Sequence, residues 1–111
     1  MALRLGLVGF GRWGRILAKE IAEAPGMALA AVASRSVAEA EAPAPVARDW
    51  RDLLDGRVDA LISAAPPATT YAVGRAGMAA GLPVWLEKPP APSAEAVATL
   101  LADAQAAGAI V

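Results

Sequence analysis

The chain has 111 residues, 57% of them apolar, and ten basic against eleven acidic side chains give a formal net charge of -1. That length suits one domain over residues 1–111, with a core of its own but little chain to spare for both a cofactor and a substrate pocket. With neither cysteine nor histidine, it can have no disulfide or thiolate metal site and lacks the usual general base, so no metal is expected, and the balanced charge argues against a nucleic-acid partner.

No uncharged stretch is long enough to cross a bilayer, and the first residues lack the basic run and apolar core of a secretory signal. The expectation is a soluble, cytoplasmic protein with no membrane partner.

Leu3, Leu5, Leu7 and Val8 form an apolar run that predicts a buried strand, and Trp13, Ile16, Leu17, Ile21 and Ala24 recur at helical spacing. Between them stands Gly9-Phe10-Gly11-Arg12-Trp13-Gly14. A strand, a glycine turn and a helix make a phosphate site. Gly9 permits the turn, Gly11 lets backbone approach a pyrophosphate, and Gly14 lets helix and strand pack without a Cβ between them. The helix N-terminus adds free N–H groups and a partial positive charge.

Pro25-Gly26 breaks the helix, and Leu29, Ala31, Val32 and Ala33 predict a second strand ending at Ser34-Arg35-Ser36. Pro43 and Pro45 forbid a regular helix through residues 37–45, so that crossover is short or irregular. Val46-Ala47-Arg48 is a candidate third strand, and Asp49 is placed to cap a short helix from Trp50 to about Asp55, ended by Gly56. Residues 58–65 (VDALISAA) read as the fourth strand, which Pro66-Pro67 ends.

Thr69 or Thr70 is expected to cap the next helix, with Val73, Ala76 and Ala80 on one face, and Gly81-Leu82-Pro83 stops it. Residues 83–86 make a short fifth strand. Ser93 caps a last helix in which Glu95 favours the N-terminal dipole and Val97, Leu100, Leu101 and Ala104 face inward. Gly108 closes it, and Ile110-Val111 look like the start of another strand. This alternation predicts an α/β fold with a doubly wound parallel sheet of about five strands and a ligand crevice at their carboxyl ends.

The acidic residue that grips an adenosine ribose normally ends the second strand, about 20 positions beyond the glycines. Ser34-Arg35-Ser36 stands there instead. A guanidinium flanked by two hydroxyls can bind a 2′-phosphate and stack on adenine, so NADP(H) is preferred and NAD(H) is the second choice, although Arg35 also reads as a solvated surface charge. Glu87-Lys88-Pro89 follows the fifth strand on the same edge. A partly desolvated lysine beside a cofactor can donate a hydrogen bond to a substrate oxygen or carry a proton, with Glu87 orienting it; an exposed ion pair is the plainer reading. Trp13 suits either a place over the cofactor or core packing. Tyr71 has Arg75, not lysine, four residues on, and no GxxxxGK[ST] loop is present, so other nucleotide schemes fit worse.

With these motifs placed, the chain resembles the N-terminal cofactor domain of the glucose-fructose oxidoreductase and inositol dehydrogenase family (Gfo/Idh/MocA), a Rossmann domain. The likeness runs through GLVGFGRWG, AVASRS, DWRDLL, VDALISAAPPATT and AGLPVWLEKPPAPSAEAV in order. It implies a pyridine-nucleotide oxidoreductase acting on a sugar, cyclitol or similar small hydroxyl or carbonyl compound. By the same resemblance Gly9, Gly11 and Gly14 lie at the pyrophosphate; Phe10, Arg12 and Trp13 within that loop, and Ser34, Arg35 and Ser36 at the end of the second strand, join them as expected cofactor-binding residues. Ala65, Pro66 and Pro67 lie near the nicotinamide, and Lys88, beside Glu87, lies between nicotinamide and substrate as the catalytic residue.

Three departures accompany the likeness. Thr70 stands where many members have histidine, the crossover at 37–45 is short, and the second, substrate-binding catalytic domain is absent from these residues. A homo-oligomer is compatible with this reading. The alternatives are a non-catalytic nucleotide-sensing module and a degenerate fold kept for protein contacts; Lys88 beside an intact glycine loop favours the enzyme.

Overall fold

The computed structural model describes residues 2–111. Strands β1 (Leu3–Val8), β2 (Met27–Ala33), β3 (Val46–Ala47), β4 (Ala60–Ser63) and β5 (Val84–Leu86) form one sheet in the order β3-β2-β1-β4-β5. Every pairing is parallel, with Leu7 opposite Val32 on one side and Ile62 on the other. The helices are α1 (Arg12–Glu23), α2 (Pro67–Ala79) and α3 (Ala94–Ala107). The α/β, doubly wound reading holds.

Alternation along β1 separates the two apolar layers. Leu5 packs with Ile21 of α1 beneath the sheet, and Leu7 lies beside Gly14 of the same helix. Gly6 and Val8 turn to the opposite face, where Leu53, Val58, Leu61, Val73 and Leu100 form the larger core. Leu7, Leu53 and Leu61 are fully buried, and each such side chain stabilises the fold by about 1.5–3 kcal/mol relative to exposure. The chain runs outward from β1 to β2 and β3, then returns to β4 on β1's other side, with α1 against β1 and β2 and α2 against β4 and β5. That reversal opens a crevice at the carboxyl end of β1. At the opposite edge, Arg4 clasps Asp59 through its backbone N–H (2.8 Å) and its guanidinium (2.9 Å).

Several expectations need correction. Neither Thr69 nor Thr70 caps α2: the helix starts at Pro67, with Pro66 in the capping position, because a proline at the first helical position has its φ preset and no N–H to satisfy. The short helix expected from Trp50 to about Asp55 is present as a 3₁₀ turn over Trp50–Leu54, with the Asp49 side chain accepting from the Arg51 N–H as expected. On α1 the inward stripe is Gly14, Ala18 and Ile21, while Trp13 (50%) and Ile16 (42%) are exposed. Leu101 also points outward (59%), since α3 buries a narrow stripe centred on Leu100. β2 begins earlier than expected, at Met27, and β4 is shorter, with Val58 buried just before it. Ile110-Val111 form no strand, although the Ile110 carbonyl accepts from Val84 N–H at 3.0 Å.

Candidate functional site

Each of β1, β2, β3 and β4 delivers a loop to the same edge. Gly9, Phe10 and Gly11, then Ser34, Arg35 and Ser36, then Arg48 to Arg51, then Ala64, Ala65 and Pro66 line one open cleft of about 650 Å³.

The glycines divide by what each is for. Gly9 has φ +94°, and a Cβ there would lie 2.9 Å from the backbone of Ala64 and Ala65. On Gly14 a Cβ would overlap the Gly9 carbonyl. Both are demanded by the protein's own packing. Gly11 is different, because a Cβ there meets nothing within 4 Å and would project into open space at the start of α1. It caps α1 with no side-chain hydrogen bond, no acidic residue follows in the first turn, and the first intrahelical bond is Arg15 N–H to the Gly11 carbonyl (3.0 Å). The preceding N–H groups of the turn therefore have no intrahelical acceptor and suit an anion.

The loop that follows β2 is built by hydrogen bonds. Ser34 Oγ accepts from the N–H groups of Ser36 (3.4 Å) and Val37 (3.2 Å), and Arg48 Nη1 donates to the Ser34 and Val37 carbonyls (3.1 and 2.7 Å). The Ser34 hydroxyl thus shapes the loop rather than simply flanking Arg35. Arg51 lies over the Trp50 ring, 4.6 Å from its centroid. It also pairs with Asp49 (3.1 Å). The Arg51 backbone N–H, with its guanidinium second, holds the Asp49 carboxyl below its usual range. Arg35, Arg48 and Arg51 all line the cleft, whose one carboxylate among the described residues, Asp49, is paired with Arg51.

Other predicted site residues lie outside the cleft lining. Arg12, Trp13 and Gly14 run back into α1, and Pro67 starts α2. Lys88 is exposed, with no hydrogen bond or ion pair among the described residues, and its peptide to Pro89 is cis. Glu87 does not orient it: the Glu87 carboxylate accepts from Trp85 Nε1 (3.1 Å) and its N–H donates to the Ser63 carbonyl (3.0 Å). Sequence reasoning missed Arg48, Trp50, Arg51, Ala64 and Thr69 as cleft residues, and took Asp49 for a cap alone. The available signal was DWRDLL directly after a strand that ends on the ligand edge.

Residues 3–111 match the family described as "Oxidoreductase family, NAD-binding Rossmann fold". The chain belongs to this family.

Solved structures agree. A protein of Magnetospirillum magnetotacticum MS-1 assigned as an oxidoreductase is 36% identical with a TM-score of 0.87, over 98% of this chain and 37% of that one. D-galactose-1-dehydrogenase from Rhizobium etli is 31% identical with a TM-score of 0.83, over 97% of this chain and 35% of its own. Scyllo-inositol dehydrogenase from Lactobacillus casei, solved with NAD(H) and scyllo-inositol, is 25% identical with a TM-score of 0.89, over 97% of this chain and 34% of its own. The chain therefore spans about a third of the length of these neighbours. Among the described residues no helix is long and apolar enough to cross a membrane.

Proposed function

We propose that this chain is the cofactor-binding part of an oxidoreductase acting on a sugar, cyclitol or related small hydroxyl or carbonyl compound, and that it prefers NADP(H) to NAD(H). The observation that carries the preference is the cleft's charge: Arg35, Arg48 and Arg51 line it, and its one carboxylate among the described residues, Asp49, is paired with Arg51, which leaves an excess of positive charge. Gly9, Phe10 and Gly11, with the open first turn of α1, hold the pyrophosphate. Ser34, Arg35 and Ser36 take the adenosine and its 2′-phosphate, leaving Ala65, Pro66 and Pro67 to the nicotinamide half. The bound nucleotide supplies hydride transfer. Lys88 donates a hydrogen bond to the substrate oxygen and stabilises negative charge there, a role supported by its place at the end of β5 on the ligand edge. Support for the substrate class comes from the galactose and scyllo-inositol dehydrogenases among the structural neighbours.

The rival reading, a nucleotide-binding module without chemistry, is favoured by the exposure of Lys88 and its absence from the cleft lining. Titration of NADPH and NADH by fluorescence tests the cofactor reading. NADPH should bind roughly tenfold or more tightly, and Arg35→Ala should remove most of that margin, because charge-assisted hydrogen bonds are worth about 1.5–3 kcal/mol. Equal wild-type affinities would overturn the preference.

A further inference from the structure

Behind the Ala65 wall of the cleft, outside its lining, lies a pair of hydroxyls that the cofactor reading does not use. Ser63 closes β4 and Thr70 lies in the first turns of α2, and both are fully buried. Their oxygens are 2.8 Å apart. Thr70 Oγ1 donates to the Ala65 carbonyl at 2.9 Å, and Ser63 Oγ accepts from the Ala65 N–H at 3.4 Å. A hydroxyl has one proton to give. With Thr70's spent on Ala65, the proton between the two oxygens comes from Ser63. The pair therefore holds both polar groups of Ala65, the middle residue of the loop that forms one wall of the cleft.

That loop leaves little room to move. Ala64 N–H donates to the Val8 carbonyl at 2.8 Å, and the backbone of Ala64 and Ala65 abuts the empty side of Gly9. A shift at Ala65 alters the width of the cleft beside the glycine turn. Because β4 and β2 flank β1 on opposite sides, the Ala65 loop and the Ser34–Ser36 loop wall different halves of the crevice. With the pyrophosphate over α1, one half of a dinucleotide meets each loop.

We infer that Ser63 and Thr70 are positioning residues that act through Ala65 on the nicotinamide half of the cofactor and leave the adenosine half alone. The inference rests on the cofactor reading above. Thr70→Val keeps the shape of the side chain but leaves the Ala65 carbonyl without its donor and the Ser63 proton without its acceptor, so the loop turns toward water in the cleft.

The test uses two probes on the 111-residue chain: NADPH, which spans the cleft, and adenosine 2′,5′-bisphosphate, which has no nicotinamide half. Thr70→Val should weaken NADPH by about tenfold, as expected for an unmade buried hydrogen bond, and leave the bisphosphate within about twofold, as for distant independent sites. Thr70→Ser, which restores the hydroxyl, should recover most of the loss. Should Thr70→Val lose its fold, as read by circular dichroism, Ser63→Ala takes its place with the same pattern expected at about threefold. A general loss of packing would weaken both probes together and would overturn the inference, as would unchanged NADPH affinity. A wild-type chain that binds neither probe overturns the cofactor reading, and this inference with it.

Discussion

Gly11→Ala separates binding from folding in a way that few substitutions at this site can. Gly11 has φ -80° and an extended backbone, which alanine adopts freely, and its added Cβ would meet nothing within 4 Å. Two effects on stability oppose each other. Alanine is a poorer cap than glycine by a few tenths of a kcal/mol to about 1 kcal/mol, and it narrows the unfolded ensemble by about 0.4–1 kcal/mol. The unfolding free energy should therefore stay within about 1 kcal/mol of wild type. Binding should not survive so well. A methyl group at the mouth of α1 holds a pyrophosphate away from N–H groups that have no other acceptor, and losing one or two charge-assisted bonds costs about 1.5–3 kcal/mol each, at least roughly tenfold in affinity.

Gly9→Ala supplies the contrast. There the Cβ lies 2.9 Å from three backbone atoms at φ +94°, so strain and overpacking together should destabilise the fold by about 2–4 kcal/mol. Urea unfolding and NADPH titration on the two variants read both quantities. A Gly11→Ala protein of normal stability that binds NADPH as wild type does would refute the placement of the pyrophosphate.

Three further outcomes follow from the same geometry. Lys88→Met in a longer natural form that turns over substrate should lower kcat by about 10²–10³ while leaving NADPH affinity nearly unchanged; a near-normal single-turnover rate would remove the lysine from the mechanism. The 111-residue chain alone should not oxidise a panel of sugars and polyols, because holding a substrate near the nicotinamide supplies several kcal/mol of the barrier reduction and the cleft lining offers only the nucleotide's half of a pocket; steady turnover by a homogeneous sample would contradict this. Finally, the hydrogen bonds from the Arg4 side chain, then its backbone N–H, depress the Asp59 carboxyl below its ordinary 3.8. A depressed folded-state pKa contributes stability above the unfolded value that is lost as pH falls through the folded one. Asp59→Asn should lower Tm at pH 7 and reduce the loss of stability as pH falls below the ordinary carboxylate value, and equal acid slopes in both proteins would rule this pair out as a contributor.

The strands and the glycine turn were legible because each carries its own local signal: apolar runs of strand length bounded by Gly and Pro, and glycines whose spacing answers to backbone collisions at Gly9 and Gly14. What sequence misjudged were choices made by tertiary packing. Trp13 and Ile16 fit a helical stripe, yet α1 sits so close to β1 that Gly14 and Ala18 take the inner face, turning the larger side chains outward. Thr70 looked like a cap because threonine favours that position, but two prolines started α2 earlier and the hydroxyl was drawn into the buried pair with Ser63. Arg48 and Arg51 escaped notice for a different reason. They hang from a two-residue strand and a 3₁₀ turn, where no periodicity marks a direction, and only the sheet order brings them beside Arg35.

In the proposed cofactor reading, one nucleotide lies across the carboxyl ends of β2, β1 and β4. Backbone amide resonances of the ¹⁵N-labelled chain, followed during NADPH titration, test it most directly. The largest shifts should fall at Gly9 to Gly14, Ser34 to Ser36 and Ala64-Ala65, with Arg48 to Arg51 moving alongside. Shifts centred instead on the exposed surface around Trp85 and Leu101, or none at saturating NADPH, would contradict it.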